Sequence, residues 1–539
     1  MNVDCFPITV APGLHRLFLD YCAGSAAASG FYASLPPDQA WRTATAGLTI
    51  PGHWPGLVRL LAEQNRAPDG SPAANALESL RQGAGTVVTG QQVGLFGGPL
   101  FTPFKAATAI ARARTATAAG RPHAAIFWLA SEDHDFAEIN HYTFPDGNAA
   151  RKLVYTATPE VPRPVGGVVL LDEIAALVEQ AGQLVFEDSL DALTEAWRPG
   201  RTFAQAFADY YAKVFAAQGL LILDASGREF HRLGAPVLRA ALERADELHA
   251  ALLERNRALA AAGYQAQVAV APQSSLLFLI DDRTGARLAL KRHAPTAQEP
   301  NGVWQAGRNS FATDDLVGIL ESEPERLSPA ALLRPVFQDF LLSTSLVIGG
   351  PAEVAYFAQS AVLYERILGR KTHIQPRFSG TLIPPSIGSY LRKYELTPDR
   401  IFGQSADSLA QLLGARAMPI EGKQRLAAAG NALDAELNAL LEWMHGLDAG
   451  LGRSADTAGS KMRYQMNRLR RLSANFQLQH EAKLGRHAAE IVNALYPSGV
   501  LQERVYGAAY FFMVYGFGLV EDICAQAENA CPGHAAMWL

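Results

Sequence analysis

Residues 85–141 read GTVVTGQQVGLFGGPLFTPFKAATAIARARTATAAGRPHAAIFWLASEDHDFAEINH. The β-branched run at 85–89, bounded by glycines, predicts a buried parallel strand. A glycine-rich loop (90–98) follows, then a helix over 99–114 with Pro99 just inside its start, where a missing N–H has no consequence. A second apolar run at 124–130 predicts the adjacent strand, and 131–141 an acidic loop. In α/β proteins the carboxyl ends of such strands, with the free N–H groups of the next helix, bind phosphates or small polar ligands. Glu132, Asp133, His134 and Asp135 arrive at that same edge.

Working outward, the same pattern recurs. Residues 219–223 (GLLIL) predict a third strand, ending in Asp224-Ala225-Ser226, and 345–348 a fourth, followed by Gly349-Gly350-Pro351-Ala352-Glu353. Residues 372–377 are a last candidate. A parallel doubly wound sheet follows, with sites after residues 89, 130, 223 and 348. Residues 1–80 read as helical, with Leu14, Leu17, Phe18 and Tyr21 on one face and breaks at Pro36-Pro37 and Pro51-Gly52. Residues 145–200 predict strands (152–156, 165–171) and a helix (172–180) outside the main sheet. Helix returns at 202–217, and one long amphipathic helix is expected over 230–262. Strands at 267–270, 276–281 and 287–291 suggest a β-rich insert, and 328–342 a helix.

Beyond Pro384-Pro385 the character changes. Leu426, Leu433, Leu437, Leu440, Met444 and Leu447 step by sevens, fours and threes, the seam of a coiled coil. A turn region at 446–459 leads to a second arm carrying Met462, Met466, Leu469 and Phe476, helical to about 495. Such a hairpin either packs on its own core or pairs with a second copy as a homodimer.

The chain has 539 residues, 49% of them apolar, 18% charged, and a net charge of −5. That length and apolar content predict a large core and more than one domain, and exclude a largely disordered chain. The charge offers no basic footprint for nucleic acid. Cys5, Cys22, Cys524 and Cys531 form no CxxC pair, which favours a reducing, cytoplasmic setting over a disulfide framework. The N-terminus lacks the order of a signal peptide. The apolar stretch 505–520 is too short for a membrane span and reads as a buried helix.

The glycine loop is neither a Walker A motif nor GxGxxG. Gly90, Gly94, Gly97 and Gly98 permit close approach either of a ligand or of packing side chains. Gln91 and Gln92 suit a polar substrate, and Lys105 a carboxylate or phosphate. If a helix begins near Asp135, His134, Glu138 and His141 share one face and could ligate a divalent metal; the acids could equally cap the helix start. Glu353 is either a dipole complement or an acid facing a substrate amine, with Gly350 and Tyr356 beside it. Arg377 is either a bidentate anchor for a carboxylate or half of an ion pair. His53, His123 and His373 read as ordinary surface or core residues.

TGQQVGLFGGPLFTPFKAATAIARA (89–113), FWLASEDHDFAEINH (127–141), RPVFQDFLLSTSLVIGGPAEVAYFAQ (334–359), PRFSGT (376–381) and LQERVYG (501–507) resemble the BshC family, the cysteine ligases of bacillithiol biosynthesis. The resemblance runs in order from the first strand to the C-terminus. It implies a Rossmann-like core similar to class I aminoacyl-tRNA synthetases and cysteine-adding ligases (1–385, with inserts near 145–200 and 265–325). A helical coiled-coil domain (386–500) for dimerisation and a C-terminal helix (501–539) packing back on the core complete it. The implied activity joins cysteine to the amine of glucosaminyl-malate, with ATP or ADP, and Mg2+ accompanying the nucleotide. On this reading Asp133, His134 and Glu353 are catalytic. Thr89, Gln91, Gln92, Lys105, Glu132, Asp135, Asn140, Gly350, Tyr356 and Arg377 bind substrate, and Gly94, Gly97 and Gly98 bind nucleotide. No metal ligands are assigned among the protein residues, and neither nucleic acid nor membrane is expected as a partner. The synthetase signature HxGH is absent, since the loop reads GLFGG. A metal-assisted hydrolase or transferase using the Glu132–His141 cluster, and a non-catalytic scaffold of the thiol pathway, are the other classes open to this sequence.

Overall fold

The computed structural model describes residues 1–35, 40–44, 51–147, 149–182, 187–293, 302–529 and 531–539. The break expected at Pro36-Pro37 falls outside these. Numbered along the chain, β1 is Asn2–Phe6, β2 Gly85–Gln91, β3 His123–Leu129, β4 and β5 the hairpin His141–Asp146 and Ala149–Val154, and β6 Leu221–Leu223. Next come β7 (Ser274–Ile280), β8 (Arg287–His293), β9 (Val303–Ala306), β10 (Asn309–Phe311) and β11 (Leu327–Pro329). The last four are β12 (Thr344–Gly349), β13 (His373–Pro376), β14 (Ser379–Ile383) and β15 (His534–Trp538).

The central sheet is parallel throughout, in the order β13-β12-β2-β3-β6. The chain winds from β2 outward to β6, then returns to the other side of β2 for β12 and β13. This reversal opens a crevice at the carboxyl ends of β2 and β12. Alternate side chains serve opposite faces, as the two-residue period requires. Val87, Phe127 and Leu129 join one core with the helices Phe101–Ala118 and Phe203–Val214. Val88, Ile126 and Trp128 join another with Trp54–Asn65, Arg228–Glu243 and Arg334–Leu342. Gly90 is needed in β2 because a Cβ there would stand 2.6 Å from the Trp128 carbonyl oxygen.

The doubly wound sheet is as read from sequence, but several local expectations are corrected. Pro99 lies outside the helix: it bridges to Gly507, and the Leu100 N–H donates to the Tyr506 carbonyl at 2.8 Å, so the helix begins at Phe101. Residues 165–171 form a single 3-10 turn, Val165–Gly167, instead of a strand. Gly166 is drawn against Ser131, which its Cβ would meet at 2.4 Å. The helix expected over 230–262 breaks at Arg244 into Arg228–Glu243 and Ala245–Ala261. No strand forms at 267–270, and residues 327–329 are β11, the helix starting only at Arg334. The N-terminal part opens with a strand, not a helix. β1 pairs antiparallel with β15, which lies parallel to β14, and Cys5 is joined to Cys531 while Cys22 and Cys524 are free. Pairing between chain ends is invisible to local periodicity. Residues 508–520 contribute to two helices, Ala508–Tyr515 and Gly518–Asn529, bent by 116°; among the described residues no single helix is long and apolar enough to cross a membrane.

The helices Ile420–Leu447 and Ala449–His480 form the antiparallel hairpin. Its turn is Asp448 alone, whose carboxylate accepts from the N–H groups of Gly450 (2.7 Å) and Leu451 (2.9 Å), so the longer loop expected at 446–459 is absent. Leu437 and Leu441 pack toward Gly459, and Leu440 points outward at 50% exposure. The seam therefore runs through 441, not 440.

Candidate functional site

The crevice gathers the tips of β2, β3 and β12. Lys105, in the first turns of the helix after β2, is 2% exposed. Its Nζ donates to the Gly90 carbonyl at 2.7 Å and to Gln91 Oε1 at 2.8 Å, and pairs with Glu353. Glu353 in turn accepts from the Gly350 N–H at 2.7 Å. Burial outweighs the attraction of Glu353 and holds the Lys105 ammonium below its ordinary pKa. Gln91, Lys105, Gly350 and Glu353 are thus brought together by a pair linking β2 to the helix after β12.

A second group lies beside it. Gln92 Nε2 donates to Asp133 Oδ2 at 2.8 Å and to Glu138 Oε2 at 2.7 Å. Asp133 Oδ1 also accepts the His134 N–H at 2.7 Å. Burial raises the Asp133 pKa, but the donors Gln92 and His134 N–H, with the charges of Arg334 and Arg287, prevail and lower it. The loop is braced from behind, where the Val165 N–H donates to the Asp133 carbonyl and the Gly166 N–H to that of Ser131 (2.7 and 2.8 Å).

Two arginines complete the group. Arg287, reaching in from β8 of the β-rich insert, donates from Nη1 to His134 Nδ1 at 3.0 Å and from Nε to Ser328 at 3.0 Å. Its guanidinium lies 3.7 Å from the Phe278 ring centre, and burial brings its pKa down to about 10. A guanidinium only donates, so Nδ1 of His134 accepts and the neutral ring carries its proton on Nε2. Arg334 lines the same cavity, hydrogen-bonds Tyr356 and feels the charges of Asp133 and Glu353. Burial opposes its charge, yet Tyr356, Asp133 and Glu353 outweigh that and raise its pKa. Tyr356 is pushed up to about 12 by burial and the neighbouring Glu353. A cavity of about 150 Å³ is lined by Glu132, Asp133, His134, Phe278, Arg287 and Arg334, among others. Behind it, Glu132 pairs with the fully buried His231 at 3.0 Å.

Other residues singled out from sequence are engaged elsewhere. The Thr89 hydroxyl donates to the Ile348 carbonyl at 2.9 Å, tying β2 to β12, and Asn140 donates to Tyr155 at 3.0 Å. Asp135 caps the helix Phe136–Ile139. That helix has only four residues and His141 lies in β4, so the shared face of His134, Glu138 and His141 does not form. Among the described residues no group of three or more His, Cys, Asp or Glu is placed to hold a metal. Arg377 is half of a buried pair with Glu503. The loop of Gly94, Gly97 and Gly98 is buried, and its three glycine N–H groups donate to the carbonyls of Gln92, Gly94 and Leu95. Gly97 packs against Tyr210 and Tyr211. These N–H groups are spent within the loop, so it forms no phosphate cradle.

Sequence reasoning missed Arg287, Arg334, His231 and Glu503. Arg334 and Glu503 sit in the RPVFQDF and LQERVYG motifs and were open to detection there; Arg287 and His231 carry no motif. A larger cavity of about 920 Å³ adjoins the other side of the Gly349–Ala352 turn, with Arg112, Arg377, Glu503 and Cys531 in its wall. The smaller cavity holds the Asp133, His134, Arg287 and Arg334 group, and the Lys105–Glu353 pair lies outside the lining of both.

Two family models match the chain: the N-terminal Rossmann-like domain of bacillithiol biosynthesis BshC over residues 1–378, and its C-terminal coiled-coil domain over 380–537. Proteins named “Putative cysteine ligase BshC” align along nearly its full length. That of Koribacter versatilis is 42% identical over 538 residues, 99% of each chain. That of Solibacter usitatus is 33% identical over 545 residues, all of both chains. That of Salinibacter ruber is 30% identical over 521 residues, 94% of this chain and 93% of the relative.

Proposed function

The chain belongs to the BshC family, and on that premise we propose that it is a ligase forming an amide between the carboxyl of L-cysteine and the amine of glucosaminyl-malate. The observation that carries this reading is the position of Arg334, which puts carboxylate-binding cations and amine-facing acids in one crevice. Arg287 and Arg334 hold the malyl carboxylates, in place of Arg377, which is engaged by Glu503, with Lys105 as a further cation. Asp133, kept ionised, receives the sugar ammonium, while Glu353 stays paired with Lys105. His134 donates its Nε2–H toward the carbonyl oxygen as negative charge develops there, rather than acting as a base.

An amide does not form from a free carboxylate and an amine in water, so the proposal includes nucleotide-dependent activation, with Mg2+ accompanying the nucleotide. The Gly94–Gly98 loop does not fit that nucleotide, and no step is assigned through it. The proposed setting is the cytoplasm, where substrate cysteine stays reduced, although the Cys5–Cys531 bond runs against the reducing environment expected there. The proposed assembly is a homodimer through the hairpin, whose outward residues Leu440, Trp443, Leu447, Leu469, Leu472 and Phe476 are 50–61% exposed. Thiol profiling of a deletion strain tests the activity: glucosaminyl-malate accumulates and bacillithiol disappears. Unchanged bacillithiol would overturn the reading.

A further inference from the structure

His231 has no part in the chemistry above, yet it is a fully buried histidine pointed at the cavity's acid. It lies on the helix Arg228–Glu243, and its Nε2 is 3.0 Å from Glu132 Oε1. Charge and hydrogen bonding to Glu132 both act on the ring, and the Leu327 backbone adds a further hydrogen bond to it. The ring rests against Phe337, with centroids 5.5 Å apart. The other charged group acting on it from a neighbouring element is Glu325, itself paired with Arg228 at 3.2 Å.

The cavity wall bears two carboxylates, Glu132 and Asp133, and two guanidiniums, Arg287 and Arg334. Left to themselves these cancel, and Glu132 and Asp133 both attract Arg287. We propose that His231, as an imidazolium, neutralises Glu132 from behind and thereby leaves Arg287 and Arg334 in excess, making the cavity a receptor for a carboxylate-bearing substrate. His231 is a positioning residue, because Glu132 stands between it and the ligand. The proposal deepens the reading of the site given above and rests on it. Burial opposes the imidazolium, but Glu132 outweighs burial and raises the His231 pKa, so the excess persists above the usual histidine range. Once pH passes that raised value the excess is lost and carboxylate affinity falls.

The test is charge restoration. His231→Gln removes one positive charge and Glu132→Gln one negative; the double variant returns the wall to the original net charge. KM for glucosaminyl-malate should rise about tenfold in His231→Gln, a size set by one charge at short range in a partly screened site. KM for cysteine and kcat should move little, and the double variant should regain most of the loss. The wild-type KM should climb with pH above the His231 pKa, and the His231→Gln KM should not. L-malate binding by calorimetry gives the same comparison without turnover. If the wild type binds malate and His231→Gln binds it equally, or if the double variant is no better than His231→Gln, the inference is overturned. If the wild type neither binds malate nor forms the amide, the proposed function itself fails.

Discussion

Arg377 and Glu503, 126 residues apart in sequence, meet in a bidentate pair: Nη1 to Oε2 at 3.0 Å and Nη2 to Oε1 at 2.5 Å, with side chains 4% and 2% exposed. They lie in the two separately matched regions, so the pair ties the sheet to the C-terminal part of the chain. Glu503 also accepts from Ser379 and the Gly380 N–H (2.9 Å), and His534 sits between the hydroxyls of Ser379 and Thr381 at 2.8 Å each.

Removing one partner leaves a buried charge uncompensated. Glu503→Leu and Arg377→Met should each destabilise by about 3–5 kcal/mol, and Arg377→Met/Glu503→Leu by clearly less than their sum. Denaturant melts measure this. Additive losses would show that the two charges do not act as a pair.

The same network sets an acid limit. Burial lowers the His534 pKa to about 4, so between the ordinary histidine range and that value the unfolded chain takes up a proton that the folded chain refuses. The Glu503 pKa is also lowered, burial being outweighed by Arg377, so its contribution is present above the unfolded carboxyl pKa and fades as pH falls through the folded value. Stability should therefore decline from neutral toward pH 4, and His534→Asn should flatten the upper part of that decline. An unchanged profile in the variant would exclude His534 as the source.

Much of this was legible in the sequence, and the reasons differ by residue. The strands of the parallel sheet are buried on both faces and carry unbroken apolar runs, so 85–89, 124–130, 219–223 and 345–348 stood out. Glu132, Asp133 and His134 were found because they immediately follow such a run. β1 and β15 were not, because their pairing joins opposite ends of the chain. Arg377 was visible as a cation after a strand, but nothing local shows that Glu503 occupies it. Arg287 reaches the site from a separate antiparallel sheet, and its place follows from tertiary packing alone.

Because Arg287 donates to Nδ1 of His134, the ring should carry its proton on Nε2 when neutral. Nitrogen chemical shifts of labelled histidine should show that tautomer in the wild type and a mixture in Arg287→Ala. A wild-type ring protonated on Nδ1 would remove His134 from its assigned role as Nε2–H donor.

Gly97 has φ +87°, and a Cβ there would lie 3.0 Å from both Tyr210 and Tyr211. Gly97→Ala combines backbone strain of roughly 1–2 kcal/mol with overpacking of about 1–3 kcal/mol. The variant should lose roughly 2–5 kcal/mol of stability on those grounds while keeping the wild-type affinity for ATP. A selective loss of ATP binding with stability intact would restore the loop as a phosphate site.

The hairpin leaves Trp443 61% and Leu469 53% exposed, beyond what its own seam covers. The exposed residues fall in two patches, Leu440, Trp443 and Leu447 near the tip and Leu469, Leu472 and Phe476 toward the base, where Arg470 packs beside Gly430. Exposed apolar patches of this kind mark interaction surfaces. A second copy would bury them without requiring a complementary partner, since a two-fold interface uses the same patch twice. Trp443→Glu/Leu469→Glu should therefore convert a dimer to a monomer in sedimentation velocity and leave the thermal unfolding of the sheet core close to wild type. A wild-type chain that sediments as a monomer at micromolar concentration would rule the dimer out.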